Sequence, residues 1–500
     1  MHISSSRILA TTALATVFGA QAALADVSSK EVWDNWKTYM TSAGYDVSAN
    51  EAVSGDTLTV TGLTMDMELP ESGGNVTMNW GVISFKENGD GTVLVTMPET
   101  TPVSMVSNSP SENFTVKMDM TSDLSTVASG TIEAVTYAYG SAETRFEVTE
   151  LIIDGETVPD LELDVVFTGF AGNYDLTQGE MLSSGGTTTV DSVEMTLSAV
   201  DPDNGAPIDV VASLNGLAAE VVSSLPADGL TGNPMALFVP GMNLAGGYTF
   251  DAMRMTANFV EDGTPGEVSF ESRAGSFNID MDDQKLAYDG DLTDLVFKAY
   301  GSEIPVPIDV SFGEIGYGFK LPIAASEDAQ DFAFNLKLAD LKVSELLWGM
   351  FDPGQVLPRD PATLIVDLVG KGTVLMDLMT LDETTAEMPG ELNALTIRDL
   401  RLNAAGASVE GSGDFVFDNT DLESFDGMPR PEGALDLTIS GANGLMDKLT
   451  QMGLLPEEQA MGARMMMSMF TQPGAGDDTL TSKIEVNAQG HVSANGQRLK

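Results

Sequence analysis

The feature that most constrains the fold of this 500-residue chain is an alternation of apolar with small or acidic residues. "TLTVTGLTMDMEL", residues 57–69, shows it clearly. Successive side chains of a β-strand point to opposite faces of the sheet, so a period of two predicts strands with one buried and one solvated face. The alternation recurs over residues 76–97, 114–120, 144–170, 187–201, 247–272 and 277–301. The fold class predicted is mainly β: a long twisted antiparallel sheet assembly with a few short amphipathic helices packed on it.

One helix is predicted at the start of the folded chain. Ser28 or Ser29 can cap it, and Trp33, Trp36 and Met40 then share one face. Two tryptophans on one helix face can stack on a ligand, but packing of the helix onto the sheet is the preferred interpretation.

Three later segments pass from strand alternation to helical spacing. The first is expected to become helical after Asn215, with an apolar face that ends at Pro226. The second is expected to start a helix after a cap at Asp340, and the third runs from the strand around Leu437 into two helices, the later one opening at Pro456. Short amphipathic helices of this kind are suited to cover the apolar face of a long sheet.

The candidate functional residues all lie in the third segment, and they form an apolar lid or packing face. The first helix contributes Leu445, Leu449 and Met452. The second, "MGARMMMSMF", contributes a row formed by Met461, Met465 and Met469. Methionine is flexible and polarisable, so such a row can adapt to an acyl chain or a partner helix, although core filling is the preferred interpretation.

Residues 1–25 are expected to be a signal peptide. Arg7 precedes an apolar run that ends in Ala23-Leu24-Ala25, and we expect cleavage after Ala25 and delivery to the periplasm. No later apolar run is long enough to cross a membrane as a helix. The remainder is divided into an elongated β-rich N-terminal region, 26–325, with the first strand–helix unit, and a β-rich C-terminal region, 326–500, with the other two.

Charge and composition exclude several classes of function. The chain has 23 Lys and Arg against 75 Asp and Glu, a net charge of −52, which repels nucleic acid and anionic membrane surfaces. It contains no cysteine, and His491 is the only histidine beyond the leader, in a polar hairpin where a solvated role is expected. The glycines of "GEIGYGF", residues 313–319, do not match the spacing of a dinucleotide-binding loop. No cofactor and no metal site are predicted; the acidic clusters at 201–205 and 280–284 lack the spacing of a calcium loop.

The C-terminal third carries a resemblance to a known family. The order "SVEGSGDFVFD", "PRPEGALDLTISGANGLMDKLTQMGLLPEEQAMGARMMMSMF" and "LTSKIEVNAQGHVSANGQ", within residues 408–497, resembles domain of unknown function 2125. This resemblance implies a bacterial envelope protein and transfers no catalytic residues. More distantly, the architecture is similar to AsmA-like and chorein-type envelope proteins, which implies a long curved sheet whose apolar groove holds lipids.

Three functions are compatible with these observations. The preferred one is an exported, non-enzymatic envelope protein that holds lipid-like apolar ligands in a β-sheet groove. The alternatives are a structural periplasmic scaffold without a ligand and a carboxylate-based hydrolase. An open apolar face would favour the first, a packed interior the second, and a concave pocket joining two carboxyl groups with a raised pKa the third.

Overall fold

A computed structural model describes residues 26–69, 74–109, 113–201, 205–226, 239–261, 263–380 and 389–500. The expected leader, 1–25, lies outside the described residues, as does most of the acidic cluster at 201–205. The helices are α1 (Ser29–Ser42), α2 (Glu345–Phe351), α3 (Ala442–Gln451) and α4 (Glu457–Phe470), with a 3-10 turn at Leu378–Thr380. The strands before the middle of the chain are β1 (Asp46–Ser54), β2 (Thr57–Leu69), β3 (Gly74–Glu87), β4 (Val93–Thr96), β5 (Thr100–Asn108), β6 (Asn113–Ser122), β7 (Ser125–Thr131), β8 (Ala134–Ile153), β9 (Glu156–Thr157), β10 (Glu162–Thr177), β11 (Met181–Val200), β12 (Pro207–Pro226) and β13 (Asn243–Phe250). The later strands are β14 (Ala252–Glu261), β15 (Thr264–Ser272), β16 (Ala274–Asp282), β17 (Lys285–Gly301), β18 (Ile304–Pro322), β19 (Gln330–Val343), β20 (Ala362–Val374), β21 (Gly390–Ala404), β22 (Ala407–Asp418), β23 (Arg430–Ser440), β24 (Gln472–Pro473), β25 (Thr479–Val486), β26 (Val492–Ala494) and β27 (Gln497–Arg498).

All the described strands belong to one antiparallel sheet, which confirms the predicted fold class. Pairing follows chain order almost throughout, from β1 at one edge to β27 at the other. Two neighbouring short strands take the place of one long strand at four positions, namely β5 with β4, β6 with β7, β13 with β14, and β16 with β15. A meander of this kind needs only short turns, and the turn between β3 and β4 has glycines 89 and 91 at positive φ.

A line of irregularities crosses the sheet and divides the long strands into two halves. In β12 the backbone at Gly216 has a φ of 63°, and in β17 Asp294 has a φ of 49°. The apolar positions change from even to odd numbers at Gly216, yet Leu214 and Leu217 on either side of it line the same cavity. At Gly216 the side-chain alternation shifts by one residue while the strand register is kept, so one apolar face stays continuous along the strand.

The fully packed core lies at the N-terminal end of the sheet, under α1. Ser28 caps this helix as predicted, and its side chain accepts from the Glu31 N–H. Trp33 and Phe85 have no exposed surface, and the ring of Trp36 meets the edge of Phe85 with 5.3 Å between centroids. The two tryptophans therefore pack on the sheet, as preferred above.

The first predicted strand–helix unit is wrong. Residues 217–225 continue strand β12 instead of forming a helix, and Val221 pairs with Gly186 on β11 and Gly246 on β13. With strands available on both sides, the β-branched Val221 and Val222 complete two ladders, and Gly216 forms a bend rather than a helix start.

The second and third units are helical, with one correction to a cap. Ser344, not Asp340, caps α2, and its side chain accepts from the Leu347 N–H. Asp340 instead lies within β19 at a φ of 54°, on the line of irregularities. Across the expected boundary at 325/326, β18 and β19 pair directly in the same sheet.

Candidate functional site

The middle of the apolar face is not covered by any described helix. On the same face as Phe85, three aromatic residues remain well exposed: Tyr248 at 44%, Tyr317 at 42% and Phe334 at 42%. Single exposed apolar residues are normal on a protein surface, whereas a contiguous apolar surface marks an interaction site. These rings follow one another across paired strands, so they form part of a contiguous surface.

A cavity of about 530 Å³ lies in this uncovered region, where the line of irregularities crosses β12 to β18. Leu214 and Leu217 of β12 line one side, and Ile315 and Tyr317 of β18 line the other. This volume is within the range of about 300–1,000 Å³ that is typical of small-molecule pockets. We call this cavity the central groove.

Glycines under the aromatic rings give the central groove its shape. The ring of Phe250 lies over Gly275 so closely that a Cβ at this position would clash with it. In the next cross-strand row, a Cβ at Gly290 would come within 3.0 Å of the Tyr317 hydroxyl oxygen. The rings therefore lie flat against the sheet backbone, and the space above them stays open.

A second cavity, of about 280 Å³, lies between α3 and the C-terminal part of the same apolar face. Leu402, Val409 and Ile439 provide its sheet side, and Leu445 and Met446 of α3 provide its helix side. We call it the α3 cavity. It shows that α3 lies on the apolar face, at the end of the sheet opposite α1.

Polar contacts fix α3 at its N-terminal end. The Asp478 carboxylate accepts from the backbone N–H of Gly444 at 2.8 Å and from the Asn443 side-chain amide at 2.8 Å. Burial works against the ionised form, but these hydrogen bonds outweigh it and hold the pKa of Asp478 below its usual value. Arg464 of α4 donates to the Asn443 carbonyl oxygen at 3.2 Å, which joins α4 to α3.

The structure separates the predicted lid residues into two groups. Leu445, Leu449 and Met452 are half-buried, and Leu445 contributes to the α3 cavity. The methionine row is helical, as predicted, but its members face solvent. Their exposed fractions are 64% for Met461, 65% for Met465 and 55% for Met469. The core-filling interpretation is therefore wrong for this row, since α4 packs on α3 through another face. Met467, which lies outside the row, lines the α3 cavity.

The central groove residues were not identified from the sequence. Ile315 and Tyr317 belong to "GEIGYGF", whose glycines were tested only against nucleotide-binding motifs. The available signal was the alternation of glycine with large apolar residues, which is typical of strands that place rings over neighbouring backbone.

Charged groups lie mostly on the opposite face, where they pair across strands. Lys337 binds Glu314 at 2.5 Å, and Lys371 binds Asp331 at 2.7 Å. In the acidic cluster at 280–284, the Asp280 carboxylate is in contact with the Lys285 ammonium group. These pairs explain part of the acidic surface without a bound cation.

The described part of the chain was also compared with the expectations for metal sites, for His491 and for membrane-spanning helices. Within the ranges given above, no three histidine or acidic side chains are placed to hold a metal ion. His491 lies in a turn, where its backbone N–H donates to the Asn487 side chain at 3.0 Å. No helix in the described part of the chain is long and apolar enough to cross a membrane.

Fold and site together define a β-sheet protein with one apolar face. Helix α1 packs on this face at one end of the sheet and α3 at the other, and the middle of the face is open. Residues 291–496 match the family model of domain of unknown function 2125, described as an uncharacterized protein conserved in bacteria. The resemblance to domain of unknown function 2125 is thus confirmed, and the match includes α2 to α4, the α3 cavity and part of the central groove. No curated protein and no solved structure matches the chain.

Proposed function

We propose that this protein is a non-enzymatic envelope protein that holds a lipid-like apolar ligand in the central groove. The observation that carries the proposal is an apolar cavity of about 530 Å³ that stays open to solvent although it lies on the core-forming face of the sheet. A scaffold without a ligand would be expected to bury this face, because apolar surface exposed to water costs about 25 cal/mol per Å².

Contrast with the N-terminal end supports the same conclusion. There, α1 packs on the apolar face, and Trp33 of α1 and Leu58 and Phe85 of the sheet have no exposed surface, so the chain can bury this face. The distant resemblance to AsmA-like and chorein-type proteins points in the same direction. The expected leader adds the location, since export to the periplasm would place the groove close to membrane lipids.

The electrostatics favour binding over acid–base catalysis. Every described carboxyl group with a clearly shifted pKa has it lowered, as for Glu51, whose pKa falls to about 2 beside Lys37. A hydrolase of the kind considered above needs one carboxyl group with a raised pKa to act as a general acid.

Binding of a neutral apolar dye, N-phenyl-1-naphthylamine, tests the proposal. We expect the dye to become fluorescent on binding to the wild-type protein and to be displaced by an alkylphosphocholine below its critical micelle concentration. Tyr317→Asp places a carboxylate in the groove at a position that is 42% exposed, so the protein should fold but bind the dye at least tenfold more weakly.

Asn335→Asp is the matched control, because it adds the same charge to the neighbouring strand β19 at an exposed position outside both cavities. Dye binding should be unchanged in this variant. Absence of dye binding by the wild-type protein, or equal losses in the two variants, would contradict the proposal. N-terminal sequencing of protein recovered from the periplasm should give Asp26 as the first residue.

A further inference from the structure

The central groove and the α3 cavity lie on one row of apolar side chains. Register pairs connect the row strand by strand: Leu292 with Ile315, Ile315 with Leu338, Leu338 with Leu364, Leu364 with Leu402, Leu402 with Val409, and Val409 with Ile439. The first two residues line the central groove, and the last three line the α3 cavity. Only Leu338 and Leu364 lie between the cavities, and both are half-buried.

The α3 cavity is open on the side that faces the central groove. Leu402 lines this cavity and is nevertheless 49% exposed. Since Leu402 is the member of the cavity wall that pairs with Leu364, its exposed surface continues the row toward Ile315. A hydrocarbon chain that leaves the central groove along this row therefore arrives under α3.

The length of the row suits one extended lipid tail. From Ile315 on β18, which lines the central groove, to Leu402 on β21, which lines the α3 cavity, the row crosses three strand spacings, about 14 Å at roughly 4.8 Å each. One leaflet of a bilayer is about 15 Å of hydrocarbon, half of a core about 30 Å thick. A single tail of ordinary length can thus reach from the central groove to the helix.

The two cavities differ in polarity, which gives the ligand a direction. The hydroxyl groups of Tyr248 and Tyr317 provide polar groups in the lining of the central groove. The lining of the α3 cavity has one polar side chain, Ser408. A polar headgroup fits the first cavity and the end of a hydrocarbon tail fits the second. The net charge of −52 disfavours an anionic headgroup.

We infer that the groove takes a single-chain amphiphile without net negative charge, whose tail ends against α3, so that Leu445 and Met446 set the longest tail that can be accommodated. This inference rests on the proposed function and adds a ligand class, an orientation and a pair of residues that determine specificity. Asp478 acts as a positioning residue, because it fixes the end of α3 from which Leu445 projects.

A homologous series of alkylphosphocholines, each below its critical micelle concentration, tests the inference by isothermal titration calorimetry. Each added methylene should raise the affinity about fourfold, which corresponds to about 0.8 kcal/mol, until the tail meets α3 and the gain stops. Leu445→Ala should move this break to a longer chain, and Leu445→Trp should move it to a shorter one. Val409→Phe fills the α3 cavity from the sheet side and should also shorten the limit, which covers the case of an α3 variant that fails to fold.

Met465→Ala is the control, because Met465 is 65% exposed on α4 and lines neither cavity. It should leave the break unchanged. If the alkylphosphocholines bind but the break is the same in all variants, the role of α3 is refuted and the proposed function stands. If none of them binds the wild-type protein, the proposed function fails with it. An alkyl sulfate that binds as tightly as the alkylphosphocholine of equal chain length would refute the inference about the headgroup.

Discussion

Two phenylalanines on the same apolar face should respond very differently to truncation. Phe85 is fully buried under α1, where its ring centroid lies 5.8 Å from that of Trp33 and 5.3 Å from that of Trp36. Phe334 lies on β19 near the central groove and is 42% exposed. The pair compares the sealed part of the face with the part that we propose to be a binding surface.

Burial sets the size of the two effects. Phe85→Ala removes a buried ring and leaves a cavity that neighbouring side chains cannot fill, so it should lower the free energy of unfolding by about 3–5 kcal/mol. In Phe334→Ala, only the buried part of the side chain, roughly 60% of its area, is lost from the packing, and no enclosed cavity forms. The free energy of unfolding should therefore fall by about 1–2 kcal/mol. Phe334 lies diagonally across from the groove residue Tyr317 on the paired strand, so we expect its removal to weaken dye binding several-fold.

Urea denaturation followed by tryptophan fluorescence provides the measurement. Of the four tryptophans, Trp33, Trp36 and Trp80 belong to the N-terminal core, so their fluorescence follows the sealed end of the sheet. The midpoint should fall strongly in Phe85→Ala and little in Phe334→Ala, with dye affinity changed only in the second. Similar losses of stability in both variants, with dye binding intact, would refute the idea that the middle of the apolar face is left open for a ligand.

Three further predictions concern the helices and the bends. Leu449→Asp should detach α3 and make it sensitive to limited proteolysis while the tryptophan midpoint is kept; a joint loss would mean that α3 supports the whole sheet. Glu51→Gln should cost about 1 kcal/mol at neutral pH, because Glu51 pairs with Lys37 of α1. Folding lowers the pKa of Glu51 from 4.5 to about 2, so its contribution to stability is present above pH 4.5 and is lost as the pH falls toward 2. In urea titrations the wild-type protein and Glu51→Gln should therefore unfold alike near pH 2. A constant difference between them from pH 4.5 to pH 2 would contradict the assignment. Gly216→Ala should cost about 1–2 kcal/mol in thermal unfolding because its φ is 63°, whereas Gly185→Ala, with ordinary contacts and no positive φ, should be tolerated; equal effects would argue against a required bend.

The sequence by itself determined the strand class and most of the local helix signals. A period of two is a property of the strand backbone, so residues 57–69 specify a two-faced strand whatever their neighbours are. The cap of α1 at Ser28 is equally local, because it needs only the side chain and the N–H three residues later. The apolar spacing of Leu445, Leu449 and Met452 predicted α3, and the proline at 456 predicted the start of α4.

Tertiary structure decided what local patterns left open. Residues 217–225 have helical apolar spacing, yet they lie between β11 and β13, and two ladders of hydrogen bonds outweigh that preference. At α3 the helical spacing does produce a helix. Its start is held by Asp478, more than 30 residues away, which accepts from the N–H groups there. The central groove also depends on tertiary structure. Leu214 and Leu292 line one cavity only because strand pairing brings β12 and β17 into the same sheet, and whether a helix covers them depends on where α1 and α3 pack. Alternation tells which residues share a face, but coverage of that face is a relation between distant segments, so only the folded chain determines it.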